Sequence, residues 1–389
     1  MKESLSYVLV TPYTIAKSRT GGVIARLLSR SDLELVGAQI ITPNEDFVGE
    51  YAAVVRKQNL SGAEGLLANY IEQHLGPSGG RKHRSLFLIF KGTDACRKLS
   101  ETCGPISPES RSFETLTGET IRDTYADLIY DGQDNTKPIY FEPAVLTPHT
   151  QDYANEVMAL FVKYFKESEN IVHNMVYPEG QKIEQTLVII KPDNWSNASG
   201  RPGTIIDMFS RTGLRIVGTK VFSISLAQAL DFYGPVEGAL IKRLGPIFGD
   251  RALEVLEKEF SLPLDEKTRA CLSSCFGEAY ARDQFYQIVE FMSGRRPDSC
   301  PPEEAALPGT VKCMVLIYEG EKAVEKIRDV LGPTDPLKAP GGTVRREFGR
   351  DVMVNTAHAS DSVESCEREK GIIKIDENPL SSIIEEYLS

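Results

Sequence analysis

Short apolar runs bounded by turn residues alternate with amphipathic stretches along this chain, and the same succession occurs twice. SYVLVTPYTIAKSRTGGVIARLLSRSDLELVGAQI (6–40) is matched by QTLVIIKPDNWSNASGRPGTIIDMFSRTGLRIVGTKV (185–221). Each reads as an apolar strand, a polar turn ending in glycine, an amphipathic helix and a second strand into Val-Gly. Gly22 to Gly37 and Gly203 to Gly218 enclose the same length. SLFLIFKGTDACRKLSETCGP (85–105) then pairs with CMVLIYEGEKAVEKIRDVLGP (313–333), and GETIRD (118–123) with GGTVRR (341–346), aligning Arg122 with Arg345. Matching segments in one fixed order are what duplication produces.

Within each copy the order is strand, helix, strand, helical middle, strand, helix, strand, helix. Strands such as TLVIIK and CMVLIYEG are short and β-branched, and Ile205, Ile206, Phe209 and Leu214 fall on one face of a helix opening at Gly203. That order predicts an α+β fold: two tandem ferredoxin-like βαββαβ domains, each an antiparallel four-stranded sheet with helices packed on it. The first spans 1–165, a linker with Pro178 and Gly180 spans 166–184, and the second spans 185–389. The second copy carries extra material near 235–281, where DRALEVLEKEF places Leu253, Leu256 and Phe260 on one helix side. Further extra residues lie near 294–310, a proline-rich stretch without periodicity.

The 389 residues exceed one ordinary core, in keeping with two domains. No apolar run is long enough for a membrane span, and the opening MKESLSYVLVTPYT enters strand pattern without the apolar core of a signal peptide. Seven cysteines without framework spacing point to a reducing compartment, and the cytoplasm is expected. Cys271 and Cys275, four apart on a predicted helix, lack a close fourth ligand for zinc, which makes them ordinary thiols. A net charge of −11 argues against a general nucleic-acid binder, so the question becomes where the cations cluster.

They cluster around VNTAHASDSVESCEREKG (354–371). His358 ends an apolar strand just before a helix whose start, Asp361 with Glu364, resembles a capping box. Ser360, Asp361 and Glu369 can order the turn and the imidazole, and an oriented neutral imidazole is a good nucleophile. Arg328, Arg345, Arg346 and Arg350 lie upstream, with Lys191 farther off. Brought together, such cations would stabilise a phosphoryl-transfer transition state. No G-x-x-x-x-G-K-[ST] loop and no H-R-D or D-F-G set is present, which excludes a P-loop enzyme and a protein kinase.

From about Glu184 onward the chain resembles the nucleoside diphosphate kinase family, through TLVIIKPDN, GTIIDMFSRTGLRIVG, LGPTDP, GGTVRREF and above all HASDSVES. The resemblance implies a ping-pong reaction. A nucleoside triphosphate phosphorylates His358, and a nucleoside diphosphate collects the group. It implies phosphate contacts from Lys191, Arg328, Thr334 and Arg345, and a sugar and phosphate contact from Asn355. Ser360 and Glu369 match the pair that supports the histidine, Tyr233 the tyrosine of the cleft, and Ile288 a base-stacking aliphatic position. It further implies Mg²⁺ carried by the nucleotide phosphates. One departure stands out: the family's base-stacking aromatic is replaced at the best-aligned place by Gln284, beside Phe285 and Tyr286.

The first copy lacks this equipment. Thr11 replaces Lys191, Ser100 replaces Arg328, and Ile106 replaces Thr334. FEPAVLTP against VNTAHASD sets Val145 opposite His358 and Glu142 opposite Asn355, leaving Arg122 as the retained cation. The first copy is therefore expected to be inactive and to serve as the partner surface of an internal pseudo-dimer, with further self-assembly left open. Neither a membrane nor a specific nucleic acid is expected as a partner. Two other functions stay open on these residues. One is a nucleotide-sensing or scaffolding pseudoenzyme; the other is a protein-histidine phosphotransferase using the same His358.

Overall fold

The structure, a computed structural model, describes residues 3–58, 60, 63–106, 118–131, 134–173 and 175–389. Its strands are β1 (Glu3–Val10), β2 (Glu34–Ile41), β3 (Ser85–Thr93), β4 (Asp127–Asp131), β5 (Asp134–Glu142), β6 (Val145–Leu146), β7 (Ile183–Ile190), β8 (Arg215–Phe222), β9 (Cys313–Glu321) and β10 (Ala357–Ala359). Two four-stranded sheets result, β2-β3-β1-β6 and β8-β9-β7-β10, so the predicted four-stranded sheet occurs twice, with the same strand order. β4 and β5 form a separate hairpin that, among the described residues, only the first half possesses.

Two compact units divide the chain. One comprises Met1–Phe222, Met314–Lys370 and Lys374–Ser389, and so holds both four-stranded sheets. The other comprises Ser223–Cys313 and Gly371–Ile373.

In the first unit, strand alternation sends successive residues to opposite faces. Val8 and Val10 of β1, with Val188 and Ile190 of β7, join one apolar core that also takes in Ile24, Leu27, Ile205, Phe209 and Tyr318 from both halves. Leu5, Tyr7 and Leu9 point the other way, onto the helices Glu45–Arg56, Ala63–His74 and Gln151–Phe165. Each fully buried side chain of this size contributes about 1.5–3 kcal/mol. Ile205, Ile206 and Phe209 are buried as predicted, while Leu214 is half-buried against the core.

The two halves meet where the helices Thr20–Arg30 and Arg201–Ser210 cross. A Cβ at Gly21 would overlap the Gly203 carbonyl and the Asp207 amide, and one at Gly203 would overlap the Gly21 carbonyl and the Ala25 amide. Only hydrogen side chains permit this backbone approach. The contacts elsewhere are reciprocal. Asn170, in the predicted linker, donates Nδ2 to Thr219 O of the second half at 3.0 Å, and Val172 N–H bonds Val217 O at 2.8 Å. Asn378, past the second half's last sheet strand, donates Nδ2 to Ala38 O of the first half at 3.0 Å and to Asn170 Oδ1 at 2.9 Å. The final helix, Leu380–Leu388, sends Leu380 and Ile384 into the first half's second core. Part of the predicted linker is thus built into the fold.

The second unit is helical. Ser225 and Gln228 close a capping box at the start of a helix, Leu226–Phe260, that continues through Pro235 and Pro246. The helix therefore begins well before the predicted insert. Of the three residues expected on one helix side, Leu253 is buried, but Phe260 is 69% exposed: it is the last residue of the helix, followed by Ser261 in the left-handed conformation. Helices Glu266–Leu272 and Glu278–Ser293 follow, joined by a π-turn, and the stretch 294–310 is irregular apart from Pro302–Glu304.

Candidate active site

β10 is three residues long and pairs antiparallel with β7, placing Ala357 opposite Ile190, His358 opposite Ile189 and Ala359 opposite Val188. The alanines face the shared core, so His358 points to the other face, where the helix Val363–Ile373 brings Glu369. His358 Nε2 lies 3.0 Å from Glu369 Oε2, and Ser360 Oγ donates to that same oxygen at 2.7 Å. The imidazole remains 22% exposed, whereas the carboxylate is 4% exposed. Ser360 is fully buried, its N–H bonded to Leu187 O at 3.0 Å. A carboxylate accepting from Nε2–H puts the ring's in-plane lone pair on Nδ1.

The cations arrive from three directions. Lys191 follows β7 directly, is buried, and donates Nζ to Asn355 Oδ1 at 2.7 Å. Asn355 Nδ2 in turn donates to Thr334 O at 3.2 Å and Val352 O at 2.7 Å. Arg345 donates to Gly332 O at 3.0 Å and Ala357 O at 3.1 Å, tying the turn after helix Ala323–Leu331 to β10. Arg328, on that helix, and Thr334 are exposed. Asp361 has its carboxyl held below the usual range, chiefly by the Ser365 hydroxyl, with the Arg328 guanidinium adding favourable charge.

His358, Ser360 and Glu369 thus meet, and Lys191, Asn355 and the Thr334 backbone meet beside them. Tyr233 and Ile288 belong to the other unit. There Tyr233 is buried with its ring 5.0 Å from that of Phe232, and Ile288 is half-buried. Phe285 is buried and Tyr286 half-buried, its ring 5.9 Å from the Arg296 guanidinium. Arg346 and Arg350 are exposed, the latter paired with Asp351 at 2.9 Å. The expected cap at Asp361 moves by one: Ser362 Oγ accepts the Ser365 N–H at 3.0 Å, because the helix begins at Val363.

Sequence reading passed over the turn that sets all this. Thr356, fully buried, has φ +76°, and Ala357 N–H bonds Asn355 O at 2.8 Å across it. That is a γ-turn of the rare, strained sense, at a β-branched residue, a conformation costing on the order of 1–3 kcal/mol. Its carbonyl accepts from Lys191 N–H at 3.0 Å and Asn194 Nδ2 at 2.8 Å. Its hydroxyl accepts from Arg201 Nη2 at 2.9 Å, which also bonds Asp193 Oδ2 at 3.0 Å and Phe348 O at 2.6 Å. Burial raises the Asp193 carboxyl above its usual pKa, against the pull of Arg201 and Lys191. The signal available in the sequence was the KPDN string and an arginine opening the next helix.

The first half shows the same turn without the chemistry. Ala144 has φ +63°, and Val145 N–H bonds Pro143 O at 2.7 Å. Thr11 N–H bonds Ala144 O as Lys191 N–H bonds Thr356 O. β6 pairs Val145 with Val10 and Leu146 with Leu9, so Leu146, not Val145, stands opposite His358, and Pro143, not Glu142, stands opposite Asn355. Arg122 bonds the carbonyls of Gly104 and Val145, as Arg345 bonds those of Gly332 and Ala357. Glu142 is buried, accepting from Thr11 Oγ1 at 2.8 Å and the Tyr70 hydroxyl at 2.6 Å, and burial raises its carboxyl.

A family model described as Nucleoside diphosphate kinase matches residues 184–241 and 267–377, leaving 242–266, largely within the long helix of the second unit, outside the match. The nucleoside diphosphate kinase of Anaeromyxobacter dehalogenans is 32% identical over 187 residues, covering 48% of this chain and 86% of that protein. That of Campylobacter fetus is 31% identical over 188 residues, covering 48% and 92%. This chain belongs to the nucleoside diphosphate kinase family. It is accordingly a nucleotide-binding transferase of the kinase class. A crystal structure of an NDP kinase from Pyrobaculum aerophilum is 27% identical, covers 49% of this chain and 95% of that one, and gives a TM-score of 0.34. Among the described residues, no helix of this chain is long and apolar enough to cross a membrane.

Proposed function

We propose that this nucleoside diphosphate kinase transfers the terminal phosphate of a nucleoside triphosphate to a nucleoside diphosphate through a phosphohistidine at His358. The observation that carries the reading is the shared oxygen of Glu369, which takes both Nε2 of His358 and the Ser360 hydroxyl. It fixes the tautomer, so that Nδ1 attacks the γ-phosphorus. The P–N bond forms as the bond to the departing diphosphate breaks, and the leaving oxygen keeps the electron pair. Positive charge grows on the ring and Glu369 stabilises it. In the second half-reaction the phosphoryl passes to the terminal oxygen of a different nucleoside diphosphate, and Nδ1 recovers its lone pair.

Lys191, Arg328, Thr334 and Arg345 receive the phosphates in this reading, and Asn355 reaches sugar and phosphate. Arg345 commits two of its donors to backbone carbonyls, which makes it as much a brace as a ligand. The chemistry of this donor set, cations and amides, suits a phosphate chain bearing Mg²⁺, and no group of three metal-ligating side chains occurs among the described residues. The nucleotide would hold the ion, which spreads the negative charge of the transferring group. The family resemblance makes Tyr233 and Ile288 further candidates for nucleotide contacts. The first half, with Thr11, Ser100, Ile106 and Leu146 at the corresponding places, does no chemistry and serves as the built-in partner of the active half. The reading places the reaction in the cytoplasm.

Incubation with γ-labelled ATP and magnesium should put acid-labile phosphate on the wild type and none on His358→Ala. Added nucleoside diphosphate should then discharge it. A label that no nucleoside diphosphate removes would point to a protein acceptor, and absence of label to a nucleotide-binding scaffold.

A further inference from the structure

The strained turn at Thr356 separates the residues that hold phosphate from the one that accepts it: Asn355 reaches Lys191 on one side, and Ala357 starts the strand of His358 on the other. A β-branched residue takes a positive φ only when its surroundings impose it. Here three donors do so, the Lys191 N–H, the Asn194 amide and the Arg201 guanidinium, and of these Arg201 alone grips the side chain. Its other bonds anchor it to both neighbouring segments: Asp193, 9% exposed, and the carbonyl of Phe348 at the end of helix Val344–Phe348. The Phe348 ring lies 5.6 Å from the guanidinium. One planar cation thus spans the loop after β7, the end of the Val344–Phe348 helix and the turn into β10, in the fork geometry lysine cannot offer.

Resting on the phosphohistidine reading above, we propose that Arg201, with Asp193, is a positioning residue for phosphoryl transfer. It holds Thr356 in its left-handed conformation and thereby fixes the Lys191–Asn355 pair relative to His358. It contacts no reacting atom. Without the guanidinium the β-branched Thr356 loses the bond to its side chain that offsets the cost of its positive φ, a cost lower for the alanine of the first half, and the phosphate-holding groups shift against the nucleophile. A misplacement of about 1 Å is enough to cost on the order of 100-fold in rate.

The first half supplies the control. Arg19 Nη1 bonds Tyr125 O at 2.9 Å, as Arg201 bonds Phe348 O, and the first-half turn residue is Ala144, which has no hydroxyl to grip. Arg201→Gln is expected to lower kcat about 10- to 100-fold, with a smaller change in KM. Arg19→Gln is expected to leave both constants within about 2-fold while lowering the melting temperature comparably. Thr356→Gly, which accepts positive φ without strain, is expected to be nearly active, and Arg201→Gln in that background should lose less than about 3-fold. Phosphorylation of His358 by γ-labelled ATP, followed in single turnover, should show the same rescue.

Wild-type kinetics in Arg201→Gln, or an equal deficit with threonine and with glycine at 356, would overturn the positioning role while leaving the phosphohistidine reading intact. A wild type that forms no phosphohistidine would bring down both.

Discussion

Arg122 and Arg345 occupy the same place in the two halves and brace the same pair of backbone carbonyls, yet only Arg345 lies beside a histidine. The same holds for the strained turns at Ala144 and Thr356. Features common to both halves therefore report what the fold requires, and features confined to the second are the candidates for the proposed chemistry. Lys191, Arg328, Asn355, His358, Ser360 and Glu369 fall in the second class. A guanidinium that braces the same carbonyls in the half without the histidine is a structural strut first.

The comparison can be broken most directly at the nucleophile. His358→Ala should reduce turnover by more than about 10⁴-fold and abolish labelling, while Leu146→His in the first half should restore neither. Labelling at residue 146 would show that the first half retains a working phosphate site. Next in size, Glu369→Gln keeps the shape but loses the charge that supports the imidazolium, so kcat should fall about 10- to 100-fold with the fold unchanged. Nucleotide exchange at the wild-type rate would sink the role of that carboxylate.

Smaller effects separate strut from ligand. Arg122→Ala and Arg345→Ala each strip two carbonyls of a charged donor, buried at Arg122 and part-buried at Arg345, and should each cost about 2–3 kcal/mol in chemical denaturation. Arg345→Ala alone should also depress kcat/KM, and an equal kinetic loss in Arg122→Ala would contradict this division. The last test concerns Lys220 of β8, at the place Gln39 holds in β2. Burial pushes the Lys220 ammonium down to about 8, with its Nζ donating to Lys374 O at 2.9 Å. The unfolded chain binds its proton up to the usual lysine range, so between about pH 8 and 10 the unfolded state holds more protons and stability rises with pH. The burial penalty is present in full below about pH 8. Lys220→Gln should remove that slope, read as the difference in unfolding free energy between variant and wild type, at most about 3 kcal/mol across the window. A pH-independent difference would show the amine to be unperturbed.

Much of this molecule was legible in its sequence. The repeated order of apolar runs and glycines anticipated two four-stranded antiparallel sheets and the succession of their elements, because alternation and turn residues are local properties. HASDSVES, with IIKPD as a weaker sign, marked the second half as the candidate catalytic one, since His358, Ser360 and Glu369 sit on one strand-to-helix segment. Errors arose where the local signal is short. β6 is two residues long and β10 three, too few for alternation to fix a register, and the alignment of the first half falls one residue off in consequence. Asp361 and Ser362 both suit a helix cap, and only the helix start decides between them. Phe260 fits an amphipathic pattern that its helix no longer serves at its last residue.

The sequence by itself determined the element order and the family, and it singled out His358 as the proposed nucleophile and the second half as the proposed catalytic one, because each is written in residue identity or short-range periodicity. Tertiary structure alone decided that Thr356 is held at positive φ by Arg201, that Asn170 and Asn378 reach into opposite halves, and that Gly21 and Gly203 let two helices touch. These rest on bonds and close approaches between residues far apart in the chain, which no local pattern encodes.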